Sequence, residues 1–398
     1  MNSSLLLQHK APRSSPSFRK LLIVPGECQS LGGTLISLAD LIQGFVISKQ
    51  LDNVCVLVRQ GSLMEKYLTS VKLQSCLQRI SADDDRTFLA EALNWVNEQP
   101  IHYPLLLHNC VSRIVLPILG KAAIRLRKSR RPIYHFCHDL GLSHNPLGFL
   151  ARKLVFAVLA PQGMANSKFT AKAVESFLPN IQDVLYQPVD LTRFCPDKST
   201  PPPQALKNIL ESGARIIINP SRITAAGIVN DKNLRALIHL LAHLRSQNYN
   251  YHLVLIGEDD TEDLVEVQLL KALADQLKIA DWVTILPPVF EIEQYYRHAD
   301  ILVTLAPREP FGRIVVEAIA TGLPVVGSSS GGIGEILGHF APEWCVDPNK
   351  PIKAAETVVN ILSHPGTLSL IAQGQHWVRQ HCSIANYAKK IVAITGIN

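Results

Sequence analysis

Short apolar runs alternate with amphipathic stretches along most of the chain. After a polar beginning, "KLLIVPGECQSLGGTLISLADLIQGF" predicts a buried strand, a glycine-bearing loop and a helix. "NVCVLVRQGS" predicts a second strand, "FLAEALNWVNEQ" a helix, and "PLLLHN" and "RPIYHFCHDLG" two further strands. "GMANSKFTAKAVESFL" reads as a short strand, an Asn or Ser cap and a helix. This alternation is the signature of a parallel, doubly wound α/β sheet.

The pattern lapses in "VDLTRFCPDKSTPPPQ", which holds four of the 25 prolines. Proline stiffens the chain and forbids a helix there. The alternation then restarts with strands in "ARIIINPS", "YHLVLIG", "WVTILPPV", "DILVTLA" and "LPVVGSS". Helices in "KNLRALIHLLAHLRSQ", "DLVEVQLLKALADQL", "EIEQYYRHA" and "AAETVVNILSH" separate or follow them. The expected organisation is a flexible leader at 1–19, a Rossmann-like domain at 20–195, a linker at 196–204 and a second such domain at 205–380. Open α/β sheets bind ligands beyond the carboxyl ends of their strands, so two such halves can share one cleft.

Composition narrows the class without naming a function. The chain has 398 residues, 47% of them hydrophobic and 18% charged, with a net charge of +6. That is an ordinary globular profile, and the charge does not demand nucleic acid. Eight scattered cysteines without a CxxC pair point to a reducing, cytoplasmic location. The three-leucine run near the start is too short for a secretory core, and no stretch approaches a membrane span. From Arg113 to Arg131 there are seven basic residues and no acid. This is either a solvated helix face with a basic turn or a peripheral contact with the inner face of an anionic membrane. The acidic runs at 83–85 and 258–260 read as solvated loops rather than metal ligands.

The candidate chemistry lies in "APREPFGRIVVEAIATGLPVVG", residues 306–327. A helix beginning near Gly312 offers unpaired N–H groups and a positive dipole end to an anion. Gly322 and Pro324 stop it. Ile314, Val315, Ala318 and Ile319 form the expected buried arc, leaving the Glu317 carboxylate uncommitted. Glu309 lies about two turns away, roughly 9–12 Å along the axis. One acid on a sugar and one on a ribose, with phosphates between, would suit that spacing.

"EPFGRIVVEAIATGLPV" with the following "GGIGEIL" resembles the hallmark Glu-x7-Glu region of retaining, GT-B-fold glycosyltransferase family 4. "LGGTLISLADLI", "YQPVDLTRFCP" and "YYRHADILVTLA" are similar to other segments of that family. The resemblance implies two Rossmann-like domains facing a cleft, with a C-terminal helix at 381–398 returning to the first. It implies transfer of a hexose-type sugar from a nucleoside diphosphate sugar to a hydroxyl acceptor (glycan, lipid or small molecule), by front-face substitution. It places Arg222 and Lys232 on the diphosphate, Glu309 on the sugar and His138 close to it. Gly32 and Gly33 would face donor and acceptor, with Phe311, Gly312, Arg313, Ile314 and Glu317 on the donor. The base would be read near Val289. Lys232 stands ten positions after Arg222 where about five is usual, so a solvated lysine is the alternative. His135 reads as a core histidine. The resemblance requires no cofactor and no metal. A sugar-nucleotide epimerase or hydrolase, or a non-catalytic nucleotide-sugar binder, are the competing readings.

Overall fold

The computed structural model describes residues 19–29, 32–142, 146–197, 199–227 and 231–397. The proposed leader at 1–19 falls almost wholly outside them. The first sheet contains β1 (Leu21–Pro25), β2 (Val54–Arg59), β3 (Leu77–Ile80), β4 (Leu105–His108), β5 (Ile133–Cys137), β6 (Gln162–Ala165) and β7 (Ile181–Val184). The second contains β8 (Arg215–Pro220), β9 (Tyr251–Ile256), β10 (Val283–Leu286), β11 (Ile301–Thr304), β12 (Val325–Ser328) and β13 (Cys345–Val346). The strand orders are β3-β2-β1-β4-β5-β6-β7 and β10-β9-β8-β11-β12-β13. Pairing is parallel throughout, for example Pro25 with His108 and Ile301 with Ile217.

The central strands β1, β2, β4 and β5, and β9 and β11, are buried at every position. Helices cover both faces of such sheets, which explains continuous apolar runs in place of strict alternation. In each sheet the strand order reverses between two central neighbours, β1 and β4 in the first and β8 and β11 in the second. Loops diverge at such switch points and leave a crevice at the carboxyl edge.

The helix Ile384–Thr395 packs on the helix Gly33–Ile47 of the first domain, and Tyr387, Ala388 and Ile391 join that domain's core. A Cβ at Gly44 would lie 2.6 Å from the Ala388 Cβ, so glycine permits this close crossing. The packing boundary falls earlier than the proline stretch predicts. Tyr186, Val189 and Phe194 already belong to the core of the second domain, because the apolar residues before the prolines turn toward the second sheet.

Candidate functional site

Both switch points open onto one cavity of about 500 Å³ between the domains. The first domain contributes Glu27, Gly32 and Gly33 after β1, and Asn109 and Arg113 after β4. The second contributes Arg222 after β8, and Arg308 and Pro310 after β11. Gly32 precedes the helix Gly33–Ile47 without a side-chain cap, so first-turn N–H groups lie at the cavity wall. Arg222 and Arg308 are exposed, and Arg308 also donates from Nη2 to the Gly227 carbonyl at 3.0 Å.

The helix after β11 runs from Arg313 to Thr321. Gly312 precedes it with φ 101°, a left-handed conformation that glycine adopts without strain. The loop before it is packed too closely for larger neighbours. A Cβ on Gly332 would sit 2.3 Å from the Phe311 carbonyl oxygen, and the Gly332 N–H donates to the Glu309 carbonyl at 2.8 Å. The paired glycines of "GGIGEIL" therefore let the helix Gly331–Leu337 buttress the 309–312 loop.

Lys232 lies two residues before the helix Leu234–Ser246. Its Nζ meets Glu309 Oε2 at 2.5 Å, with both side chains partly accessible. The interrupted spacing after Arg222 thus still brings a lysine to the 309–312 loop. The ammonium has three N–H donors and the carboxylate a second oxygen, so each retains bonding capacity for a ligand.

Glu317 departs from expectation. The helix is buried from Val315 through Thr321, wedged against its sheet and the helix Thr367–His381, while Ile314 is only partly covered. Glu317 Oε1 accepts from Arg313 Nε at 2.8 Å, and Oε2 accepts from the Tyr296 hydroxyl at 3.2 Å. Arg313 Nη2 donates across the cleft to Asp40 of the helix Gly33–Ile47 at 2.8 Å. The uncommitted carboxylate expected at Glu317 is therefore an internal partner of an interdomain arginine. Burial raises the Glu317 and Asp40 carboxyls, and Arg313 opposes that rise. Arg313 Nη1 is buried without a partner, and its Cδ lies 3.9 Å from where a Gly33 Cβ would be.

Two other expectations change, at Phe311 and His138. Phe311 is buried and leans against Tyr186 with ring centroids 6.0 Å apart, so its ring belongs to the core. Val289 packs against the second-domain core as a partly buried residue. His138 has both ring nitrogens engaged. Gln187 Nε2 donates to its Nδ1 at 2.8 Å, which puts the proton on Nε2, facing His108 Nε2 at 3.0 Å. The cavity wall carries His108 instead. Its proton then resides on Nδ1, which has no partner. Burial pushes His108 and His135 down to about 3 and His138 well below its ordinary value. His135, in contact with Cys137 Sγ at 3.2 Å, keeps its expected core role.

Glu27, Asn109 and His108 were not singled out by sequence reasoning. Their position at the carboxyl ends of the two strands flanking the switch point is the signal that could have found them. Burial, then the nearby Asp85 and Asp139, raise the Glu27 carboxyl. The acidic runs are structural: Asp84 caps the helix Asp85–Glu98, Asp85 pairs with Arg59 at 3.0 Å, and Asp259 accepts from the Val267 N–H at 2.8 Å. Among the described residues, no group of three or more His, Cys, Asp or Glu is placed to hold a metal ion.

Glu335 ties the domains together. It accepts from the Lys168 and Phe169 N–H groups, each at 2.9 Å, and from the Tyr186 hydroxyl. Ser167 and Thr170 hydroxyls donate to the Pro310 carbonyl at 2.5 and 3.0 Å. The 309–312 loop is thereby held against the first domain.

Residues 214–376 match the glycosyl transferases group 1 family model. The match falls on the second domain. This domain carries Arg222, Lys232, Glu309 and the helix that follows. The chain is 29% identical over 167 residues to a D-inositol 3-phosphate glycosyltransferase of Thermobispora bispora, covering 42% of this chain and 39% of that protein. It is 25% identical over 265 residues to the human alpha-1,3/1,6-mannosyltransferase ALG2, covering 61% and 62%. These matches span less than two thirds of the relatives' length. The whole GT-B architecture is shared with Anabaena HepE, solved in complex with UDP, at a TM-score of 0.75, 19% identity and coverage of 95% and 99%. A glycosyltransferase from Rickettsia africae matches at 0.73, with 17% identity and coverage of 95% and 98%.

Proposed function

We propose that the protein is a retaining glycosyltransferase that moves a hexose-type sugar from a nucleoside diphosphate sugar to a hydroxyl acceptor. The observation that carries this reading is the convergence of Arg222 and Arg308 from the second domain on the uncapped Gly32–Gly33 helix start of the first domain. Cations and helix N–H groups aimed at one cavity suit a diphosphate, each charge-assisted bond contributing roughly 1.5–3 kcal/mol. Lys232 stands beside Glu309 and completes the set, the lysine on phosphate and the glutamate on sugar hydroxyls. UDP in the related HepE structure supports a nucleotide donor.

Front-face substitution fits these groups. The departing diphosphate takes the proton of the incoming hydroxyl, while Arg222, Arg308 and Lys232 offset the charge it develops. No metal is required in this reading. Glu27 and His108 lie on the first-domain wall and face the acceptor. A peripheral contact of residues 113–131 with an anionic membrane, from the cytoplasmic side, belongs to the same reading.

A screen of nucleoside diphosphate sugars, with and without hydroxyl acceptors, tests it. Nucleoside diphosphate release that depends on acceptor is the expected result. Acceptor-independent release would establish a hydrolase, and binding without release a non-catalytic binder.

A further inference from the structure

The outward face of a surface helix is normally polar, and the helix Pro146–Leu159 departs from that rule. Its inward side consists of Arg152, Phe156 and Leu159, with Val155 against Gly120 of the helix Leu116–Lys128. At about 100° per residue, Leu150, Leu154 and Val158 project from the opposite side. They are 50%, 59% and 44% exposed. The neighbouring helix adds Ile124 at 58%. Of the twenty large hydrophobic side chains exposed among the described residues, eight fall between Ile114 and Val158. The apolar surface is therefore gathered here, not scattered singly.

Charge decides which partner fits. Residues 113–159 contain nine lysines and arginines and a single acid, Asp139. Arg131 and Arg152 are buried and spent on backbone carbonyls. The other seven are exposed, among them Lys153 on the apolar helix and Lys121, Arg125 and Lys128 beside it. A ridge of leucines and valine flanked by long cations matches the interfacial zone of an anionic bilayer. The ridge enters the acyl boundary and the cations reach headgroup phosphates. Arg113 and Leu142, ahead of the two helices, line the cavity, so its mouth adjoins the same face.

We propose that the exposed sides of the helices Leu116–Lys128 and Pro146–Leu159 form one docking surface for an anionic lipid bilayer. No described helix is long and apolar enough to cross a membrane, and the contact is peripheral. The inference extends the membrane contact of residues 113–131 by an apolar ridge that sequence reasoning did not single out. It rests on that part of the reading alone. Vesicle binding needs neither donor nor acceptor, so its failure is distinguishable from failure of the transferase reading.

The test is flotation of the full chain with vesicles of phosphatidylglycerol and phosphatidylcholine, compared with phosphatidylcholine alone. Binding to the mixed vesicles is expected, about tenfold stronger than to the neutral ones and weakened by salt. Leu150→Ser with Leu154→Ser should lower the partition coefficient about tenfold on mixed vesicles. Lys121→Glu with Arg125→Glu and Lys128→Glu should abolish the anionic preference. All five positions are exposed, and the surface hydrogen bond of Arg125 with Asn94 is lost, so melting temperature should fall by no more than about a few degrees and nucleoside diphosphate binding should stay at the parent value, which separates lost docking from misfolding. Parent protein that stays out of the floated fraction at low salt overturns the proposal. So does a dimer in light scattering that the Leu150→Ser, Leu154→Ser variant dissociates, since the ridge would then cover a second copy of the chain.

Discussion

Glu309 and Glu317 share one continuous segment but sit in different electrostatic settings. Glu309 lies in a loop, its partner Lys232 comes from another loop of the same domain, and both remain partly accessible at 22% and 18%. Glu317 lies inside a buried helix, and its partner Arg313 is held from the other side by Asp40 of the first domain. An accessible pair costs little to break and can be rearranged by a ligand. A buried pair leaves an uncompensated charge when one member is removed. The first is suited to exchanging partners with substrate. The second fixes the helix Arg313–Thr321 relative to the opposite domain.

The largest expected effect follows from that difference. Glu317→Ala leaves the buried Arg313 with Asp40 alone and should cost about 3–5 kcal/mol of stability in urea unfolding. A loss below about 1 kcal/mol would put Glu317 in the same class as Glu309. In the second test, Glu309→Gln should destabilise the fold less than Glu317→Ala does, because Lys232 keeps contact with water, yet lower kcat about a hundredfold. Steady-state kinetics with the donor identified by screening would measure this, and an unchanged kcat would remove Glu309 from the reacting centre.

The histidine cluster supplies an effect that is spread over pH. His108, His135 and His138 are neutral in the fold because burial lowers them. In the unfolded chain they take up protons near pH 6.5. Their contribution is complete above that pH and is lost progressively as pH falls toward about 3, the folded value of His108 and His135. Each contributes a slope of up to about 1.4 kcal/mol per pH unit. His108→Gln should flatten the stability profile between pH 6 and 4 by about one such slope. Equal slopes in parent and variant would mean that His108 is already protonated in the folded chain.

The sequence determined the two doubly wound halves, because continuous apolar strands alternating with amphipathic helices have few other ways to bury themselves. It also determined the Gly312 helix start, the Gly322 stop and the likeness of the second domain to a known family, since short motifs fix local backbone geometry. Tertiary structure decided which polar groups are left for a ligand. Helical spacing placed Glu317 off the apolar arc, yet the helix is covered on nearly every side and its carboxylate is claimed by Tyr296 and Arg313. The Asp40–Arg313 contact joins residues 273 positions apart, and a strand-end motif could not tell His138 from His108. Local pattern sets backbone and solvent preference along one element, whereas the partner of a buried charge depends on which distant element packs over it.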